Sequence, residues 1–165
     1  MHRRFTLIEL VLIIAAVVVL VAAGLALSLL GDARERARRA NCAGNLSSVG
    51  LAMLMYSGEN SGHFPLTPPG NNFEPLNTGS ILNDGKVYGC PSAPILRTTA
   101  RLSNYRYVGS GLKDDNPLAT STRLAYDESG NHPGDNWVNA ILIDGSGEGA
   151  NATSRRRWTG KPTAW

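Results

Sequence analysis

The sequence predicts an α+β protein in which one long N-terminal α-helix packs on a small antiparallel β-sheet. Two observations predict this arrangement: an apolar run near the N-terminus continues into helix-forming residues, and three short β-strand patterns follow in the second half of the chain. Stretches rich in proline and glycine between these regions argue against further long elements. The 165 residues leave room for one small globular domain after the apolar run.

The apolar run is long enough to cross a membrane. No residue between Leu10 and Leu30 is charged, and only one glycine and one serine interrupt the hydrophobic side chains. Because a helix rises ~1.5 Å per residue, the run covers a hydrocarbon layer of ~30 Å. Residues 5–31 are therefore the predicted transmembrane helix. The acid near its start, Glu9, is costly in lipid, so we expect a cationic partner for it.

The helix is predicted to continue over residues 32–57 as an amphipathic segment. One face carries the residues that recur at intervals of four and three, namely Cys42, Leu46, Val49, Met53 and Tyr56. We interpret this face as a core surface that packs on the sheet. Ser57 and Gly58 are expected to end the helix.

The remaining residues, 58–165, are predicted to form a loop-rich β domain. Strand patterns occur at residues 105–108, 123–126 and 137–143. The last of them ends at the turn Asp144-Gly145. A short helix is expected near residues 78–82. The C-terminal tail is expected to be a loop, or to hold a weak strand near residues 157–158.

Residues 5–10, which open the apolar run, carry a family resemblance. They read Phe-Thr-Leu-Ile-Glu-Leu after basic residues, and this motif resembles the N-terminus of type IV pilins and of type II secretion pseudopilins. In that family a prepilin peptidase cuts before the Phe and methylates the new amine. The resemblance implies a pilin-like fold and a cut between Arg4 and Phe5. It also implies subunit assembly in which Glu9 pairs with the amine of Phe5 in a neighbouring subunit.

The predicted leader departs from the family pattern. Arg4 stands where the family almost always has Gly, and the basic leader, residues 1–4, is short. Whether the leader is cleaved stays open. In an uncut chain, Arg3 or Arg4 of one subunit would replace the amine as the partner of Glu9. Ala26 stands where the family often has Pro, so a less interrupted helix is expected.

A second resemblance, to a bacterial group of prepilin-like proteins, reaches further along the chain. The motifs of that group are a Cys-x-x-Asn-Leu helix with a later Tyr and Pro, a Cys-Pro pair, and a His before an Asp-Gly pair. The corresponding residues here are 42–46, Tyr56, Pro65, 90–91, His132 and 144–145. The last spacing is longer here than in that group.

The two cysteines, Cys42 and Cys90, are typical of an oxidising compartment. The sequence leaves open whether they form a disulfide or remain two separate buried thiols. Asp127, His132 and Asp144 lie on or beside predicted strands, and they predict either a Ca²⁺ site or ordinary turn chemistry. Their spacing fits no EF-hand loop and no zinc signature. No other cofactor is expected.

The resemblance implies a structural role. The chain would be an inner-membrane precursor that the prepilin peptidase and the pilus machinery assemble into an extracellular helical homopolymer, a type IV pilus-like filament. Two alternatives stay open: a pseudopilin of a type II secretion system, and a membrane-anchored extracytoplasmic binding module.

Other classes of function have little support in the sequence. It holds no nucleophile motif, phosphate loop or Cys-x-x-Cys pair, so we expect no catalytic residue and no enzyme activity. A net charge of +3 is too small to indicate nucleic-acid binding by itself. The basic cluster at residues 155–158 leaves DNA as an unfavoured partner.

Overall fold

The computed structural model describes residues 6–68, 70, 72–128, 130–132 and 137–150. Helix α1, Leu7–Glu59, is one continuous helix of 53 residues. This confirms the long N-terminal helix, which runs on through Gly24 and Ala26. The chain falls into two compact units, Met1–Ala37 and Arg38–Trp165, and α1 contributes to both.

The end of α1 lies beyond the predicted stop at Ser57-Gly58. Gly58 is helical, and the left-handed backbone comes later, at Ser61 (φ 55°) and Gly62 (φ 78°). The amide of Gly62 donates to the carbonyl of Ser57 over 2.8 Å. The chain therefore leaves the helix through two consecutive left-handed residues, of which Gly62 adopts positive φ at no steric cost.

The loop-rich region after α1 contains two short helices. Helix α2, Glu74–Thr78, begins with a proline in its first turn, and a 3₁₀ helix covers Gly85–Tyr88. The expected helix at residues 78–82 is therefore displaced toward the N-terminus. Pro75 favours a helix start because its φ is already helical, and Ser80, at φ 56°, ends the element.

Four antiparallel strands form one sheet in the order β1-β2-β3-β4. They are β1 Tyr105–Tyr107, β2 Arg123–Asp127, β3 Val138–Leu142 and β4 Gly147–Ala150. The three predicted strands and the α+β class are confirmed. Strand β4 corrects the expectation of a loop at these residues, and the weak strand predicted near residues 157–158 lies outside the described part of the chain.

Strand β4 forms because it pairs with β3. Its residues are Gly-Glu-Gly-Ala, which have low β propensity. The turn through Gly145 (φ 83°) folds the chain back on β3, and the amide of Leu142 donates to the carbonyl of Ser146 over 2.9 Å. Backbone pairing with β3 therefore builds β4 despite the low β propensity of its residues. Glycine is required at position 149, where a Cβ would lie 2.5 Å from the Trp137 ring.

The predicted face of α1 forms part of the core in the second unit. Its residues Cys42, Leu46, Val49 and Met53 are at most 1% exposed, and the half-buried Tyr56 packs beside them. The sheet contributes residues such as Ala125 and Ile141 to the same cluster, and Ile143, just after β3, also belongs to it. The helix approaches β3 closely at Gly50, where a Cβ would lie 2.5 Å from Cγ1 of Ile141.

Buried tyrosines attach the loops to this core. The hydroxyl of Tyr88 donates to Leu82 O over 2.8 Å, and that of Tyr107 donates to Pro65 O over 2.8 Å. The ring of Phe73 lies between them, with centroids 6.0 Å from Tyr88 and 5.9 Å from Tyr107. Each phenol brings a large apolar ring inside while its polar end satisfies a loop carbonyl.

The contact at Gly50 predicts opposite effects of two alanine substitutions on α1. Gly50→Ala is expected to lower the free energy of unfolding by ~1–3 kcal/mol, because the new methyl group overpacks the contact with Ile141. Gly44→Ala, with open space around its Cβ, is expected to raise it by up to ~1 kcal/mol through helix propensity. Urea unfolding of the full-length protein in detergent measures both. Equal effects of the two variants would contradict the close approach.

The buried phenols predict a loss of stability at alkaline pH. Burial raises the pKa of Tyr88 to about 12 from the usual 10.0, and it also raises the pKa of Tyr107. The unfolded chain releases these protons first, so stability is intact below pH ~10 and falls as the pH rises toward the folded-state pKa values. Unfolding free energies measured across this range test this. Tyr107→Phe should flatten the decline, and a pH-independent stability would contradict it.

Candidate functional site

The N-terminal part of α1 is apolar on every side. The consecutive residues Leu10, Val11, Leu12, Ile13 and Ile14 are each more than half exposed. Five consecutive positions cover the whole circumference of a helix, since each residue turns it by ~100°. The exposed surface is thus a sleeve around the helix, which differs from the apolar stripe of an ordinary amphipathic helix.

This sleeve, which we define as residues 7–27, is compatible with a membrane. Among the described residues, α1 is the one helix that is long and apolar enough to cross a bilayer. Burying apolar surface stabilises by ~25 cal/mol per Å², whereas soluble monomers rarely expose more than a few hundred Å² in one patch. The sleeve therefore requires lipid, or other apolar helices, around it.

Glu9 has hydrogen-bond partners in its own chain. Its Oε2 accepts from the backbone amide of Thr6 (2.9 Å) and from the Thr6 hydroxyl (3.0 Å), while the Glu9 amide donates to Thr6 Oγ1 (3.4 Å). Reciprocal bonds of this kind form a capping box, which satisfies amides at the start of a helix. Sequence reasoning missed this role, although Thr-x-x-Glu before an apolar run is its signature. The predicted processing residues Arg4 and Phe5 lie outside the described residues.

A second candidate site is a buried cluster around Asp127, the last residue of β2. Its Oδ2 accepts hydrogen bonds from the backbone amide of Asn139 (2.9 Å) and from the Asn139 side chain (2.7 Å). The same oxygen lies 3.1 Å from Nε2 of His132. Asp127 is fully buried, and these polar partners offset the cost of keeping a carboxylate away from water.

The imidazole of His132 also lies beside the disulfide of the protein. Its Nε2 lies 3.7 Å from Sγ of Cys90, and Cys90 forms a disulfide with Cys42. Within the described residues, the ligand atoms of Cys42, Cys90, Asp127 and His132 all lie within 4.8 Å of one another, and all four residues are buried. We call these four residues the Cys–Asp–His cluster.

Four separate elements bring the Cys–Asp–His cluster together. Cys42 lies on the core face of α1, and Cys90 follows the 3₁₀ helix. Asp127 ends β2, and its register opposite Tyr105 of β1 fixes its place in the sheet. The loop that holds His132 is tied down by Asn131, whose side chain donates to the carbonyl of Asn104 over 2.6 Å.

The charge of Asp127 influences its surroundings. Tyr105, its partner across β1 and β2, donates its hydroxyl proton to Gly89 O over 3.0 Å. Burial raises the pKa of the Tyr105 phenol, and the nearby Asp127 carboxylate raises it further. A phenolate beside this carboxylate would add a second buried negative charge, so the phenol keeps its proton.

The structure brings two of the three residues of the expected Ca²⁺ site together. Asp127 and His132 are in contact, but Asp144 is exposed in the turn after β3, where its Oδ1 accepts from the amide (2.9 Å) and hydroxyl (2.6 Å) of Ser146. Arg123 at the start of β2 pairs with Leu142. Asp144 therefore lies at the opposite end of the strand pair from Asp127.

The sequence did not link the two cysteines to His132, nor Asn139 to Asp127. Nothing in the spacing of the cysteines along the chain indicates that they lie beside His132. Asn139 was also missed, although its position supplied a signal. A polar amide in the middle of an otherwise apolar strand is costly unless it is hydrogen-bonded, and so it indicates a buried partner.

Comparison with known proteins gives one family match. Residues 31–82, a little under a third of the chain, match the family described as "Protein of unknown function (DUF1559)". This is a bacterial family whose members often have a pilin-like N-terminal helix. Neither a curated protein nor a solved structure matches the chain at a significant level. The matched segment includes the amphipathic part of α1, with Cys42, and continues past α2.

Reduction of the Cys42–Cys90 disulfide is expected to lower the free energy of unfolding by ~4 kcal/mol, because the bond spans 48 residues of chain. Urea unfolding of the full-length protein in detergent, with a metal chelator present, measures this with and without a reductant. The double variant Cys42→Ala/Cys90→Ala is the control and should not respond to the reductant. Unchanged wild-type stability on reduction would contradict the cross-link.

Proposed function

We propose that the protein is a pilin-like subunit that the apolar sleeve holds in the bacterial inner membrane before assembly into an extracellular type IV pilus-like filament. The observation that carries this proposal is the exposure of apolar side chains on every side of the sleeve. The partial match to a family that often has a pilin-like helix supports it, as does the hexapeptide at residues 5–10.

The sleeve explains both stages of this proposed life cycle. In the membrane, lipid covers all of its sides, and a lone helix is stable there. Outside the membrane the same sides need another apolar cover, which copies of the same helix provide. A sleeve has no single contact face, so each copy can touch several neighbours. Head-to-tail repetition of such contacts produces an open helical filament when the rotation does not close.

The proposed role of Glu9 follows from its charge. The capping box gives the carboxylate hydrogen bonds, but Thr6 supplies no positive charge. In a bundle of apolar helices the charge would lie in a low dielectric, where an opposite charge within ~4 Å is strongly favoured. The amine of a processed neighbouring chain, or an arginine of an uncut one, would supply it. The pair would then fix the axial register between neighbouring copies.

Two alternatives share parts of this evidence. A pseudopilin of a type II secretion system would use the same sleeve and the same pairing, but in a shorter periplasmic assembly. A membrane-anchored binding module would use the sleeve for attachment alone. Its ligand would occupy a surface cleft, such as the one lined by Arg97 and Glu128, which form an ion pair of 2.6 Å. Neither role, nor the filament role, requires a catalytic group.

The test uses Glu9→Gln, which removes the charge but leaves an amide that can still complete the capping box. Loss of one member of a buried ion pair costs about 3–5 kcal/mol, so the assembly constant should fall by more than about a hundredfold. Glu59→Gln, at the exposed far end of α1, is the matched control and should assemble normally. Electron microscopy of sheared surface material, with immunoblots of membrane fractions, measures assembly and anchoring separately.

The outcomes separate the candidate functions. Wild-type filaments that disappear in Glu9→Gln cells, with the subunit still in the membrane, would support the proposal. Filaments of normal yield from Glu9→Gln would refute the pairing role. A wild-type chain that stays monomeric in membranes, with no fibre or pseudopilus containing it, would refute the filament role and favour the anchored binding module.

A further inference from the structure

We propose that the Cys–Asp–His cluster is a zinc site in the reduced protein, so that a bound Zn²⁺ and the Cys42–Cys90 disulfide are alternative cross-links at the same place. The ligands would be the two cysteine thiolates, one carboxylate oxygen of Asp127 and Nε2 of His132. This inference does not depend on the proposed filament role, because it concerns the core of the second unit.

The distances in the cluster resemble those of a tetrahedral site. With metal distances of ~2.3 Å for sulfur and ~2.0 Å for nitrogen or oxygen, neighbouring ligands of a tetrahedral zinc lie ~3.5 Å apart for sulfur–nitrogen and ~3.3 Å apart for nitrogen–oxygen. The observed separations are 3.7 Å from Cys90 Sγ to His132 Nε2 and 3.1 Å from His132 Nε2 to Asp127 Oδ2. Two edges of the tetrahedron are thus close to their final lengths while the disulfide is intact.

The donor set selects the metal. Two thiolates and an imidazole are ligands that Zn²⁺ prefers, and a carboxylate is an accepted fourth. Ca²⁺ requires six to eight oxygen atoms, which this cluster of sulfur and nitrogen donors does not offer. The expectation of calcium at Asp127 and His132 therefore changes to zinc once the structure adds the cysteines.

Hydrogen bonds hold the Asp127 carboxylate in a fixed position, as metal ligands require. The amide and side chain of Asn139 both donate to Oδ2, the oxygen that faces His132, and they hold the carboxylate in position. Outer hydrogen bonds of this kind orient metal ligands. With two thiolates, one carboxylate and a neutral imidazole, the zinc-bound cluster would carry a net charge of −1. The donors from Asn139 would offset part of this charge.

The disulfide is converted to the zinc site in two steps, reduction and metal binding. A dithiol reductant gives two electrons and two protons to the disulfide, which yields two cysteine thiols and the oxidised reductant. Zn²⁺ then binds as both thiols release their protons to solvent, and His132 ligates through Nε2 with its proton on Nδ1. The sulfur atoms separate from bonding distance to ~3.8 Å, the sulfur–sulfur edge of a zinc tetrahedron.

Either cross-link would attach α1 to the loop that follows the 3₁₀ helix. The disulfide would do so in an oxidising compartment, and the metal would do so while thiols are kept reduced. Asn131, the residue next to His132, lines a surface cleft together with Asn104 and Gly130. The second unit would thereby keep a cross-link in both redox conditions, either the disulfide or the bound metal.

The test uses the full-length protein in detergent, with Co²⁺ as a spectroscopic probe of the zinc site. After reduction with a phosphine and removal of excess reagent, the wild type is expected to bind about one Co²⁺ per chain. The spectrum should show a thiolate-to-cobalt charge-transfer band and the intense visible bands of tetrahedral cobalt, and added Zn²⁺ should abolish both. The oxidised wild type, identical in sequence, should show neither band.

Matched substitutions identify the ligands. His132→Gln and Asp127→Asn should weaken metal binding by at least about tenfold, and Asn139→Ala by about 10–100-fold. His63→Gln and Asp144→Asn, which change exposed residues of the same types, should bind like the wild type. Circular dichroism of each oxidised variant, in which the disulfide remains, shows whether the fold has formed before reduction.

The proposal is overturned if the reduced wild type takes up no Co²⁺, or if its spectrum lacks the thiolate band. It is also overturned if oxidised and reduced protein bind equally, or if a folded His132→Gln variant binds as tightly as His63→Gln. None of these results depends on whether filaments form, so failure of this inference and failure of the proposed function are distinguishable.

Discussion

The physical constraint on which the rest depends is that the first part of α1 has no side that tolerates water. Consecutive exposed hydrophobic residues from Leu10 to Ile14 surround the helix completely. Further along the same helix, from Cys42 onward, apolar residues are confined to one face and are buried in the core. The hydrophobicity of this one helix thus changes from all-round to one-sided along its length, and the one-sided part packs in the core of the second unit.

The second unit, Arg38–Trp165, is stabilised in a different way. Beyond the end of α1 it consists of short helices, short strands and loops, which bury little apolar surface for each ordered residue, so it depends on specific attachments. Tyrosine hydroxyls donate to loop carbonyls, the disulfide connects α1 to the residues after the 3₁₀ helix, and Asp127 collects hydrogen bonds from β3. These polar contacts are stabilising because they are buried and satisfied, and each would be expensive to leave half-made.

Periodicity predicted what depends on local sequence. The repeat from Cys42 to Met53 indicated the buried helix face, and β-branched residues indicated β3. Features that depend on distant partners were not predictable: β4 forms from glycine-rich residues because β3 offers a backbone edge, and Asp127 meets His132 and the cysteines only through the fold. The Thr-x-x-Glu pattern of residues 6–9 is a capping-box signature in the sequence, whereas the family resemblance implies pairing of Glu9 between subunits. Asn139 was likewise visible as a polar residue in an apolar strand.

A scan of single spin labels along α1 would test the central claim most directly. Labels are attached one at a time at positions 10–27 and 45–56 of the full-length protein in lipid vesicles, and their collisions with oxygen and with a water-soluble nickel complex are measured. The account predicts that every position in 10–27 is reached by oxygen and shielded from nickel, with no helical period, while 45–56 alternates with the period of a one-sided helix. Collisions with the nickel complex at every position in 10–27 would contradict it. So would a helical period in oxygen access over 10–27 when the protein is monomeric in the vesicles.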